Sequence, residues 1–470
     1  MKKRINMVIE IDIDMIDELF QKQKAFFQNG ATLQVSERIG ALQSLRSVII
    51  AHEQAIYSAL KADLGKPQTE AFLSEFVGMV HELDTAIAKV KRWSTKKRKA
   101  APFITFPSKA FVVPEPLGQV LIISPWNYPF DLAISPLVGA ITAGNTVVLK
   151  PSELTPNCSA LLQKMLQEAL PEELAVCVTG EADMAQRLLD QPFDHIFFTG
   201  SERVGKIVMS KAAQHLTPVT LELGGKCPVV IDKNYPVEKA AKSIAWGKWF
   251  NAGQTCVAPD YVFVHSSQKK AFVQAFNEFV KQFGQNAAED LTHIINQANF
   301  NRLKSYVEDG NILSPITINE DNRTIEPLLL QPDNMDVGVM QEEIFGPILP
   351  LLVYDDKEEI TLFIQKKSKP LVFYLFSSSS KEQKYWLSNS SSGNVCFNDT
   401  LLSYVNKNLP FGGVGASGMG AYHGKASFDV FSHYKSVHHK LNPDLPLRYP
   451  PYKWQYKLLR KWQWLLNKGF

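Results

Sequence analysis

The chain has 470 residues, 45% of them hydrophobic and 21% charged, with a net charge of +3. That length favours two or three domains over one core, and that composition is globular rather than disordered. The small net charge does not mark a nucleic-acid partner, and none is expected.

The five cysteines, Cys158, Cys177, Cys227, Cys256 and Cys396, are scattered, with no CxxC pair and no Cys/His spacing suited to zinc. A reduced, cytoplasmic setting fits better than a disulfide framework, and no metal site is expected. The N-terminal MKKR runs into Glu10, Asp12 and Asp14, so no signal-peptide core is expected there.

Residues 13–95 read as long amphipathic helices, one of them spanning Ala41 to Leu60. A basic patch, Lys96 to Lys99, and a Pro- and Phe-containing stretch to Pro116 follow, as an excursion from the first domain. Between Glu115 and Lys150 the only charge is Asp131. Pro125, Pro129, Pro136 and Gly144 interrupt this run, so no apolar block of about 18 residues survives to cross a membrane.

The pattern then becomes βαβ. Strands are expected at 120–123, 146–150, 175–178 and 195–198, with helices at 132–144, 157–169 and 182–190. Short apolar runs alternating with helical patterns indicate a parallel sheet covered on both faces. A second series begins near Gly224: strand 228–231, helix 237–250, strand 262–264, helix 268–284, then strands 349–354 and 394–398.

Several motifs carry chemistry. In GQTCVAPD, Cys256 lies in a segment without apolar periodicity, which weakens the reading of a buried structural thiol. A thiol there is a candidate nucleophile, but it needs help to ionise at neutral pH. Glu222, in TLELGGK, is either a candidate general base or a solvated strand-end acid. Asn127, between the prolines of SPWNYP, is either a preorganised amide donor for an oxyanion or an Asx-turn residue.

In FFTGSERVG a strand runs into Gly200-Ser201, with Gly205 further on and a helix behind. Such a turn suits a pyrophosphate, although an ordinary β–α turn looks the same. Lys150 and Glu153 in LKPSE follow another strand and are either ribose and phosphate contacts or a loop lysine and a capping acid. EEIFGP, with Glu343 and Phe345, and the glycine loop LPFGGVGASGMG (409–420) are each weak alone.

Taken together and in this order, the motifs resemble the aldehyde dehydrogenase superfamily over nearly the whole chain. GQTCVAPD, GMGAYHGKASFDVFSH (418–433) and RYPPY (448–452) look most like its class 3 branch, which includes fatty and aromatic aldehyde dehydrogenases. The resemblance implies an α/β fold: a Rossmann-like parallel-sheet coenzyme domain, a second α/β catalytic domain and a small β bridging element. It implies a coenzyme domain at 1–95 and 117–222, a catalytic domain at 223–420, a bridging element at 96–116 and 421–446, and a tail at 447–470.

It also implies NAD or NADP as cofactor, an aldehyde as substrate and a homodimer. Cys256 would be the nucleophile, Asn127 and the Cys256 backbone N–H the oxyanion donors, and Glu222 the base for hydrolysis. Lys150 and Glu153 would face the adenosine ribose, Gly200, Ser201 and Gly205 the pyrophosphate turn, Glu343 the nicotinamide ribose and Phe345 the ring. A coenzyme A-acylating dehydrogenase and a non-catalytic binding protein are the alternatives; Glu222, a hydrolytic base, argues against the first, and the intact set of Cys256, Glu222 and Asn127 against the second.

The tail is unusual. From Lys453 to Phe470 it has five Lys/Arg and no acids. On a helical wheel Trp454, Leu458, Leu459, Trp462, Leu465 and Leu466 share one side, and Lys453, Lys457, Arg460, Lys461 and Lys468 the other. Such a helix lies on an anionic membrane, peripheral to its inner face, or docks on the dimer partner.

Overall fold

A computed structural model describes residues 15–102, 105–442, 449–452 and 454–463. The expectations for Glu10, Asp12, Asp14, Arg448, Lys453, Leu465, Leu466 and Lys468 lie outside the described residues.

Apolar runs become strands where expected. Gln119–Ile123, Thr146–Lys150, Ala175–Cys177, His195–Gly200 and Val219–Leu223 form a parallel sheet, edged by an antiparallel strand at Gly418–Met419. Both faces are buried, as runs without alternation require. Val120, Ile122, Val147, Leu149 and Phe197 face one core, while Leu121, Val148, Ile196 and Phe198 face another. The helix Asp131–Ala143 is buried along its whole length, which is why its sequence mimics a membrane span. No helix among the described residues is long and apolar enough to cross a membrane.

The second series builds a seven-stranded sheet in the order 310–312, 328–332, 348–354, 261–265, 228–231, 372–376, 394–397. All its pairings are parallel except the 310–312 edge. A third, three-stranded antiparallel sheet joins Lys97–Lys99, Ser108–Pro116 and Ser432–Lys440.

One local expectation changes. The helix expected over Ala41–Leu60 is two, Val35–Ala51 and Glu53–Leu64, broken at His52. Among the described residues of 421–446, Ser432–Lys440 is the stretch that pairs in the three-stranded sheet. Residues before it pack on the first sheet, with Tyr422 and Phe431 rings 5.2 and 5.8 Å from Phe197. The glycine loop also reaches that sheet, since Gly418 pairs with Glu222.

Candidate active site

The first sheet reverses its strand order beside Gln119–Ile123. The chain adds 146–150 and 175–177 on one side, then returns to place 195–200 on the other. Such a switch point leaves a crevice at the carboxyl ends of the strands, where ligands bind in open α/β sheets. A cleft of about 700 Å³ opens there. Asn127, Gly200, Ser201, Glu222, Cys256, Glu343 and Phe345 all line it.

Cys256 is half-buried on a tight turn between the helix Val237–Trp249 and the strand Tyr261–His265. The approach to that turn is left-handed, with φ of 55° at Asn251, 52° at Ala252 and 67° at Gly253. This conformation costs an L-residue about 1–2 kcal/mol, so surrounding contacts must enforce it. The Tyr128 hydroxyl meets Thr255 Oγ1 at 2.6 Å, and the Tyr374 hydroxyl donates to Val257 O at 2.5 Å. The Cys227 thiol donates to Cys256 O at 3.4 Å. Burial, Glu343 and Glu222 push the Cys256 thiol up.

Asn127 is buried, and its side-chain amide donates to Gln254 O at 3.0 Å. The amide carries two N–H groups, so one remains for another acceptor. Glu222 is not the solvated strand-end acid of the alternative reading. It is 4% exposed, and neither carboxylate oxygen has a hydrogen-bond partner among the described residues. Burial lifts its carboxyl well above the usual range. A buried, unpaired carboxylate is expensive, and such groups cluster at functional sites.

Glu343 lies against Gly224, where a Cβ would collide with its carboxylate. Burial, with a contribution from Asp260, raises Glu343 to about 8. Phe345, at φ 46°, meets the Trp126 ring edge-on at 5.4 Å. Trp126 was not singled out in the sequence, although it stands beside Asn127 in SPWNYP. Lys226, also overlooked, clamps the site's rim by donating to Val339 O and Glu342 O, each at 2.8 Å, and by pairing with Asp260.

Ser201 caps the helix Glu202–Ala212, its hydroxyl oxygen accepting from Val204 N at 3.4 Å. Its hydroxyl proton stays available, and Glu202 and Arg203 of the helix's first turn also line the cleft. Beside it, Thr199 Oγ1 is buried without a hydrogen-bond partner among the described residues and lines the cleft. These orphaned donors and acceptors fit a polar dinucleotide.

Gly205, Lys150 and Glu153 do not line the cleft. At Gly205 a Cβ would lie 2.7 Å from Leu223 Cδ2, so this glycine brings the helix close to the sheet. Lys150 pairs in register with Ile123, which pairs with Phe198, so it shares the strand-end edge of Gly200. It is no exposed loop lysine. It is buried, donates to Pro151 O at 2.8 Å and lies 3.6 Å from Glu153.

The model of the aldehyde dehydrogenase family matches residues 2–437. The chain is 42% identical over 454 residues to the 4,4'-diaponeurosporen-aldehyde dehydrogenase of Staphylococcus aureus, covering 95% of this chain and 99% of that one. It is 43% identical over 437 residues to aldehyde dehydrogenase family 3 member A2 of Rattus norvegicus, covering 92% and 90%. A substrate-bound structure of Staphylococcus aureus AldH superposes with a TM-score of 0.93 at 42% identity, over 95% of this chain and 99% of that one. A match that spans both sheets and the cleft between them means that this chain belongs to the aldehyde dehydrogenase family.

Proposed function

We propose that this chain oxidises an aliphatic aldehyde of medium or long chain, or an aromatic one, to its carboxylate with NAD or NADP. One observation carries the reading. A single cleft brings a thiol, an unpartnered carboxylate and a buried amide against a strand–turn–helix with orphaned polar groups.

In this reading the Cys256 thiol gives up its proton to solvent water, and Sγ attacks the carbonyl carbon. The oxygen of the resulting thiohemiacetal takes hydrogen bonds from the Asn127 amide and the Cys256 backbone N–H. The chemistry supplied by bound NAD or NADP is hydride acceptance, which leaves the acyl group as a Cys256 thioester. Glu222 then takes a proton from water, the water oxygen adds to the thioester carbon, and the C–S bond breaks. The departing Sγ takes back the proton held by Glu222, which restores the thiol, and the product leaves as the carboxylate with its own proton lost to solvent. Gly200 and Ser201 would hold the pyrophosphate, Lys150 and Glu153 the adenosine ribose, and Glu343 the nicotinamide ribose, with Phe345 beside the ring. Gly205 would serve by helix–sheet packing.

The first sheet would be the coenzyme-binding domain, the second the catalytic domain, and the three-stranded sheet a bridge to a second copy. All five cysteines are free, which supports a reducing, cytoplasmic setting.

The test mixes the protein with decanal, with NAD and NADP in parallel and no coenzyme A, and follows reduced nicotinamide. Steady turnover that vanishes in Cys256→Ala is expected. A single burst that resumes only with coenzyme A would mean thiolysis, and silence with every aldehyde tried would favour the binding-protein alternative.

A further inference from the structure

The strongest buried charges outside the cleft sit directly behind it. Lys66 and Glu75 are 1% and 0% exposed and meet at 3.1 Å. Replacing such a pair by apolar side chains is often neutral or stabilising, so bracing alone does not call for it. What the pair touches is more telling. Lys66 Nζ also donates to Asn127 O at 3.2 Å and sits 4.3 Å above the Tyr128 ring. The other Glu75 oxygen accepts from Phe130 N at 3.1 Å and Asp131 N at 2.9 Å, holding the chain just past Asn127. Glu75 comes from a five-residue π-helical turn, Phe72–Phe76, a distortion that often accompanies function.

The same segment reaches the other loop. Glu70 Oε2 accepts from Asn251 N at 3.0 Å and from Thr292 Oγ1 at 3.2 Å, at the start of the left-handed turn that leads to Cys256. Asn251 Nδ2 then donates to Asn127 O at 3.2 Å and to Gln254 O at 3.0 Å. Gln254 O is also the acceptor that holds the Asn127 side chain. Both ends of Asn127 are thus fixed by groups that never enter the cleft. With one amide N–H spent on Gln254 O, the direction of the second is set.

We propose that Lys66, Glu75, Glu70 and Asn251 are positioning residues that aim the spare Asn127 amide N–H at the oxyanion formed over Cys256. The proposal rests on the reading of Asn127 as the oxyanion donor. It predicts that the network acts only through that amide.

The experiment uses the full chain without coenzyme. Acylation of Cys256 by 4-nitrophenyl acetate passes through a tetrahedral oxyanion and releases nitrophenolate, and Cys256→Ala gives the blank. Asn251→Gly removes the amide while tolerating positive φ. Lys66→Met removes the charge, and Lys66→Arg restores it.

Asn251→Gly and Lys66→Met should each slow the nitrophenolate burst about tenfold or more, the range of a lost oxyanion donor or its misplacement. Lys66→Arg should recover part of the Lys66→Met loss. In an Asn127→Ala background the effect of Asn251→Gly should shrink to within about twofold, because coupled groups are not additive.

Full-sized losses in that background would overturn the proposal, since a mere brace slows both backgrounds alike. Unchanged bursts in the single variants would also overturn it. If Lys66→Met does not fold, the Asn251→Gly cycle decides alone. An unaffected Asn127→Ala would instead refute the oxyanion role itself, and the proposal with it.

Discussion

In the proposed mechanism Cys256 and Glu222 must both lose a proton to act, and their surroundings oppose it. Burial and the carboxylates of Glu343 and Glu222 raise the thiol, and burial raises Glu222. The sign is the same for both, so turnover should climb as pH rises above neutrality. Glu222→Gln removes one of the negative neighbours. Alkylation of Cys256 by iodoacetamide should then titrate at lower pH than in the parent, and an unmoved or upward-shifted profile would separate the two groups. His195 shows the same physics acting on stability. Burial holds its imidazole down to about 4, while Nε2 meets Thr220 Oγ1 at 3.0 Å. The unfolded chain takes up that proton near pH 6.5, so the contribution is full above about 6.5 and falls as pH drops toward 4. Between those limits the parent should lose about 3 kcal/mol more than His195→Gln, as read by urea unfolding.

At the scale of elements, the strands were legible because both faces of each sheet are buried and the apolar runs are unbroken. Gln119–Ile123, Thr146–Lys150 and Pro228–Ile231 fall where their Val- and Ile-rich stretches put them. The break at His52 was not legible, because apolar spacing continues across it while the backbone turns. The turn before Cys256 depends on another element altogether. Gly253 has φ 67°, and a Cβ there would collide with the Gly346 carbonyl oxygen, next to Phe345. Gly253→Ala should cost about 2 kcal/mol or more and slow acylation as well, because strain and a backbone clash combine. Thermal unfolding and the nitrophenolate burst, measured together, check this. A stable and fully active variant would show that the turn relaxes without moving Cys256.

Over the whole molecule, two features point outward. Ser432–Lys440 pairs along nine positions with Ser108–Pro116 and occupies an edge of its sheet among the described residues. An edge of that length is a natural place for a second copy, and sedimentation should give twice the chain mass of 52.8 kDa. The tail is the other feature. The helix Gln455–Lys461 buries Gln455, whose amide donates to Tyr449 O and Pro451 O, each at 3.2 Å. Trp454 and Tyr456 stay 50% and 66% exposed, which leaves aromatic surface for a membrane or a partner subunit. If the tail binds lipid, the full chain should co-sediment with anionic vesicles and a chain ending at Pro451 should not. Equal binding would leave docking on the partner as the role of the tail.

The sequence by itself determined the order and type of the main strands, because burial on both faces writes itself as apolar runs. It also marked Cys256, Glu222 and Asn127, because each stands in a segment whose glycines, prolines or lack of periodicity set it apart. Only the tertiary structure decided that Glu222 is buried and unpartnered, that Lys150 lies along the same sheet edge as Gly200, and that Gly205 serves packing. Only the structure could reveal Lys66, Glu70 and Glu75 behind the cleft. Their partners lie as far as 222 residues away along the chain, as Glu70 and Thr292 do. Contacts at that range leave no periodicity in a sequence. They arise when two sheets close on each other and bring separately encoded loops within hydrogen-bond reach.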